Sequence, residues 1–137
     1  MARHLKIAAA QLGPLHKADS RAAATKRLVA LLREAHGMGA RFVVFPELAL
    51  TTFFPRHYHA DIAEADHWFE TAMPSNETAP LFAAARKFGI GFHLGFAEIA
   101  HEADETGTGE TGTDGIGMVR KRRFNTAILV NPAGEVV

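Results

Sequence analysis

The sequence predicts an α/β fold, and three features carry that expectation. A short, mostly apolar run from Leu5 to Gln11 is closed by Gly13-Pro14. An amphipathic helical pattern follows it. Arg41-Phe42-Val43-Val44-Phe45 is then a second apolar run, continuous rather than alternating. Continuous runs of this kind suit parallel strands covered on both faces, and strand, helix and strand in that order make a βαβ unit with a right-handed crossover.

Each element has its own signal. Asp19 or Ser20 supplies an N-cap oxygen, and Leu28, Leu31, Leu32 and Ala35 fall at the i, i+3, i+4, i+7 spacing of one helix face. Arg21, Lys26, Arg27 and Arg33 occupy much of the remaining surface, and Gly37 and Gly39 end the helix. Pro46 to Met73 reads as a loop-rich stretch with aromatics and a short helix from Asp61. A helix is expected from Ser75 or Asn76, with Ala79, Phe82, Ala83 and Arg86 along one side and Phe88-Gly89 closing it. Ile90 to Ile99 predicts a strand with Ile90, Phe92, Leu94 and Phe96 on one face. Gly91, His93, Gly95 and Ala97 share the other, a mostly small side where a second backbone could approach closely.

Residues 101–118 hold five glycines, four threonines and five acids without a Lys or Arg, and read as a mobile hairpin excursion. Strand-like sequence resumes at Phe124 to Asn131. Asn131-Pro132-Ala133-Gly134 is a turn, and Glu135 opens a further strand.

Composition narrows the function. The chain has 137 residues, 47% of them hydrophobic, enough to bury the core of one domain and not of two. Fifteen basic residues balance fifteen acidic ones, which argues against nucleic acid or a membrane surface as a partner. Arg3 and Lys6 precede an apolar run of only Ile7 to Ala10, too short for an export signal or a membrane span. With no cysteine in the sequence, a disulfide scaffold, a thiolate metal site and a cysteine nucleophile within this chain are excluded. The expected compartment is the cytoplasm.

Glu47 is the candidate catalytic residue. It directly follows Val43-Val44-Phe45-Pro46, and catalytic groups of open α/β sheets gather beyond the carboxyl ends of parallel strands. Phe45, Phe53 and Phe54 would partly desolvate it, favouring a working base. A surface glutamate that merely ends a strand fits the same spacing.

Phe45-Pro46-Glu47-Leu48, after a βαβ opening with Ala10-Gln11 at the end of the first strand, resembles the nitrilase (carbon–nitrogen hydrolase) superfamily. Three longer runs, Val43 to Arg56, Gly89 to Glu98 and Lys121 to Val130, resemble its N-carbamoyl-D-amino acid amidohydrolase, or D-carbamoylase, branch. The resemblance implies a partial αββα sandwich, the N-terminal half of one such domain, with residues 101–118 as an insertion. It also implies a Glu-Lys-Cys mechanism without metal or organic cofactor. In such a mechanism a cysteine thiolate attacks the carbamoyl carbon, the glutamate serves as general base, and the lysine stabilises the oxyanion. The products are the D-amino acid, carbon dioxide and ammonia, and the implied partners are a small N-carbamoyl amino acid or amide and further copies of the chain. Of the triad, only the glutamate carries over, onto Glu47. Asn125 is implied in the active-site wall as a substrate-side residue; a hydrogen-bonded structural Asn in a buried strand fits equally.

None of Lys6, Lys17, Lys26, Lys87 or Lys121 sits in the family's lysine motif, and the lysine and cysteine positions are expected past Val137. The isolated chain is therefore expected to be inactive. Other amidases, β-ureidopropionase-like hydrolases and a non-catalytic truncated α/β fragment are the alternatives.

Three further patterns fail as sites. His57, His59 and His67 lack an accompanying ligand motif, so metal binding is not expected. The acids of 104–114 miss the calcium-loop pattern because Thr106 and Thr108 stand where acids belong. Arg120-Lys121-Arg122-Arg123 reads as local charge pairing at the start of a strand.

Overall fold

A computed structural model describes residues 4–103, 110–111 and 118–137 of the chain. Its elements are β1 (Ile7–Ala9), α1 (Arg21–Gly37), β2 (Phe42–Val44), two 3-10 turns at Phe54–Arg56 and Ile62–Trp68, α2 (Ala79–Phe88), β3 (Gly91–Ala103), β4 (Glu110–Thr111) and β5 (Met118–Val130). They form one mixed sheet in the order β1-β2-β3-β5-β4. The first three strands are parallel and β5 returns antiparallel to β3. The expected α/β class holds.

Helix α1 starts where a side chain can accept the orphan N–H groups: Ser20 Oγ accepts from Ala23 N at 3.1 Å. Leu28, Leu32 and Ala35 are buried along its inner face, and Leu31 packs at their margin. Helix α2 begins at Ala79, later than expected, because Ser75 carbonyl accepts from Thr78 N and Ala79 N and spends residues 75–78 on a turn. Its buried face is Leu81, Phe82, Ala84 and Ala85; Ala79, Ala83 and Arg86 of the expected stripe are exposed. Gly89 closes it in the left-handed region, at φ 62°.

The core lies between these helices and one sheet face. Ala8, Val43, Phe92 and Val130 are aligned across the four strands, and the last three are fully buried. Phe92 meets Phe45 and Phe82 with ring centroids 5.9 and 5.4 Å away. Ile90, Phe92, Leu94 and Phe96 join this one core, as expected of a shared face, while Ala97 of the alternate set belongs to a separate cluster.

The other face corrects an expectation. Leu5 to Gln11 and Arg41 to Phe45 read as strands covered on both faces, yet Ile7 is 55% and Val44 39% exposed. Ala9, Val44, His93 and Leu129 form a row on this second face, and no helix of the described residues packs over it. Apolar content told of a strand, not of how many layers cover it.

The loop after β2 covers one corner of that face. Phe54 and Trp68 stack at 5.3 Å and 6°, and with Leu48, Phe69 and Ala97 they make a small second cluster. Asp61 caps the second 3-10 turn, as expected, by accepting from Ala63 N at 2.9 Å. Arg21 at the start of α1 pairs with the buried Glu70 and donates to the carbonyls of His67 and Phe69, tying this loop to the helix layer.

Strands β3 and β5 extend beyond the expected Ile99 and Phe124, their register running from Phe92↔Val130 to Ala103↔Val119. The rest of the excursion read at 101–118, at 104–109 and 112–117, lies outside the described residues, as do most of the acids weighed for calcium. The basic run is charge-paired, but the expected local pairing holds only for Arg122; the other partner is distant in the chain. Lys121 and Arg123 both bond Asp66, and Arg122 bonds Glu102 across the hairpin. The Asn131–Gly134 turn is present, with Gly134 N donating to Asn131 O at 2.9 Å. After it Val136 makes a single antiparallel bridge to Val130. Among the described residues no helix is long and apolar enough to cross a membrane.

Candidate active site

β2 ends at Val44, and the chain turns across the second sheet face through Pro46-Glu47-Leu48. Two features of the sequence make that turn possible. Gly95 on β3 lies directly beneath it: a Cβ there would sit 3.2 Å from Glu47 Cα and 3.4 Å from Pro46 O. The close backbone approach expected over the small residues of β3 is thus made by the Glu47 turn itself. Leu48 then adopts a positive φ of 48°, a conformation that costs a non-glycine residue about 1–3 kcal/mol. Burial of its side chain and the bond from Ala49 N to Gly95 O at 3.0 Å hold it there.

Glu47 is exposed, not desolvated as expected, because no layer of the described residues covers the face it stands on. It nonetheless lines a cavity of about 180 Å³. Residues 12–15 of the β1–α1 loop form one wall, residues 46–49 the other, and Thr51, Phe53 and Arg56 line the remainder. The first wall is pinned by Arg27, whose guanidinium donates to the carbonyls of Leu12 and Pro14.

Asn125, 78 residues away in sequence, reaches the same carboxylate: its Nδ2 donates to Glu47 Oε1 at 2.5 Å. The sequence offered Asn125 either as an active-site wall or as a structural residue in a buried strand. It is exposed, on the Glu47 face of β5, and the two candidates stand together. An amide donor on one carboxylate oxygen orients the group and leaves the other oxygen to accept a proton. Asn125 also borders a second, mostly apolar cavity of about 200 Å³, bounded by Leu48, Phe54, Phe69 and Phe124.

The histidines do not converge on this carboxylate. His59 Nε2 lies 3.4 Å from Phe54 O, and His67 Nδ1 bonds Glu64 O at 2.9 Å. Among the described residues no three His, Asp or Glu side chains are grouped to hold a metal. His57 titrates below the usual histidine range, first because it is partly desolvated and then because Lys17, Arg56 and His59 surround it with positive charge. Sequence reasoning missed Arg56 as a wall of the cavity. The signal available was a lone cation in the aromatic run after Glu47.

Compared with known proteins, residues 6–137 match the carbon-nitrogen hydrolase family model. An amidase from Nesterenkonia sp. superimposes with a TM-score of 0.55 at 20% identity over 98% of this chain and 41% of that one. The same figures hold for the Nesterenkonia sp. AN1 amidase carrying the acetamide moiety of fluoroacetamide covalently at its active-site cysteine, and for a variant holding butyramide. At this identity the likeness concerns the fold: one helix layer on one sheet, part of a nitrilase-type sandwich. The chain spans 41% of the length of these structures.

Proposed function

The chain belongs to the carbon–nitrogen hydrolase family, and from that membership we propose that it carries the general base, Glu47, of an enzyme that hydrolyses an amide-type C–N bond. One observation supports this reading above the others: the Glu47 carboxylate stands past the end of a parallel strand, in a cavity, with Asn125 donating to one of its oxygens. In this reading Asn125 orients the carboxylate, and the free oxygen takes a proton first from a thiol and then from water.

The substrate class we favour is the N-carbamoyl-D-amino acids, on the strength of the Leu48 to Arg56 run. The thiolate would attack the carbamoyl carbon, ammonia would leave, and water would release the remainder as carbon dioxide and the D-amino acid. That sequence needs a cysteine, and these 137 residues contain none. The reading therefore takes residues 1–137 as the N-terminal part of one hydrolase domain, inactive by itself. It also takes the working enzyme as a cytoplasmic homo-oligomer.

The test is ammonia release from N-carbamoyl-D-phenylalanine and from acetamide. It is measured on the 137-residue chain and on the longest protein its gene encodes. The expected result is turnover of the carbamoyl acid by the long form alone. Turnover by the short chain, or none by a long form that holds lysine and cysteine motifs, would overturn the reading.

A further inference from the structure

We propose that the cleft between the first half of α1 and the start of α2 is a binding site for a free amino acid with an apolar side chain. The cleft lies on the helix side of the sheet, across from Glu47, and its test does not depend on the role given to that residue.

The cleft holds about 420 Å³, against about 180 and 200 Å³ for the cavities beside Glu47 and Asn125. That volume falls in the range of small-molecule sites, ~300–1,000 Å³. Its floor carries an unmet hydrogen bond. Of the residues that line it only Thr25 is buried, at 2% exposure, and Thr25 Oγ1 has no hydrogen-bond partner among the described residues. A threonine inside a helix ordinarily returns its hydroxyl to the carbonyl four residues back. Leaving a buried hydroxyl unpaired is unfavourable, and a ligand oxygen in the cleft relieves it.

Charge is divided between the two walls. Lys26 on α1 pairs with no carboxylate among the described residues, and Glu77, just before α2, has only a loose contact with Arg21 at 3.9 Å. The two do not pair with each other, so each is open to a ligand. A carboxylate is drawn to Lys26 and to the Thr25 hydroxyl, an ammonium to Glu77. Ala22 and Val29 on α1 and Pro80 on α2 give the space between an apolar lining. A molecule with one charge satisfies one wall only; a zwitterion with an apolar body satisfies both. That is the chemistry of a free amino acid. It is also the class of compound released by the hydrolysis proposed above, so the occupant is at hand wherever that enzyme works.

The experiment follows the backbone amide resonances of the chain as D-phenylalanine, phenylacetate or 2-phenylethylamine is added. D-Phenylalanine should shift residues 22–29 and 76–80 and bind more tightly than either singly charged probe. Thr25→Val keeps the shape of the side chain and should weaken D-phenylalanine about fivefold, the loss of one hydrogen bond. The variant should resist urea at least as well as the parent, because the unpaired hydroxyl is gone. Exposed ion pairs are weak, so Lys26→Gln and Glu77→Gln should each cost about two- to threefold. The signature lies in the crossed combinations. Lys26→Gln should weaken phenylacetate and spare 2-phenylethylamine, and Glu77→Gln should do the reverse. Three results would each overturn the proposal: D-phenylalanine shifts that avoid both helix starts, an affinity that none of the three variants lowers, or equal losses for the two singly charged probes in each charge variant.

Discussion

Placing a methyl group on Gly95 probes the seat of Glu47. The added Cβ would lie 3.2 Å from Glu47 Cα, 3.4 Å from Pro46 O and 3.5 Å from Leu48 N, so backbone rather than a flexible side-chain end must yield. That backbone has little room. Ala49 N is bonded to Gly95 O, Leu48 is buried, and its φ of 48° is already strained. Overpacking of this kind costs about 1–3 kcal/mol. Alanine also stiffens the unfolded chain, which offsets about 0.4–1 kcal/mol of that. Gly95→Ala should therefore lose about 1–2 kcal/mol, read as a lower urea midpoint at unchanged slope. Its Asn125 side-chain amide signal should move as the Glu47 contact is disturbed. Gly91→Ala is the control: its Cβ would meet Phe42 and Val130 O at 2.8 Å, so it should destabilise as well while leaving that amide signal in place. A Gly95→Ala protein as stable as the parent, with Asn125 unmoved, would refute the idea that Gly95 is the floor of the site.

Two other predictions concern charge. Asp66 is held below the ordinary carboxylate range mainly by its bond from Arg123, with Lys121 adding to it and burial opposing. Its contribution is thus complete above the unfolded value near 3.8 and is lost as pH falls through the lower folded value. Asp66→Asn should be about 1 kcal/mol less stable at neutral pH, a figure discounted for partial solvent exposure, and the gap should close in strong acid. Urea melts across that range check it, and a gap independent of pH would contradict it. The second is that Arg56→Gln should raise the titration midpoint of His57 without restoring it fully, because desolvation remains the larger cause. A ring-proton titration by NMR reads this directly, and an unmoved midpoint would show that Arg56 does not reach His57.

What the sequence could say depended on the range of the interaction. Ser20, the Leu28–Leu32–Ala35 stripe, the face shared by Ile90, Phe92, Leu94 and Phe96, and the Asn131–Gly134 turn are decided within a few residues, and all appear where expected. The small face of β3 announced a close approach, and Gly95 under Glu47 fulfils it. Coverage is a property of layers, so the exposure of Ile7, Val44 and Leu129 was hidden in runs that read as buried. Partners distant in the chain were equally out of reach. The acid that pairs with Lys121 and Arg123 is Asp66 of the second 3-10 turn, and the donor to Glu47 is 78 residues beyond it. The one-turn delay of α2 turned on how Ser75 and Thr78 share their hydrogen bonds, a competition composition does not rank.

The role given to Glu47 is tested most directly by Glu47→Gln, which keeps the shape of the side chain and removes its capacity to take a proton. The measurement is the rate of ammonia release from N-carbamoyl-D-phenylalanine by the longest protein the gene encodes. A kcat lower by about 10²–10⁴-fold with KM little changed is the expected result. A Glu47→Gln enzyme that turns over at the parent rate would contradict the account.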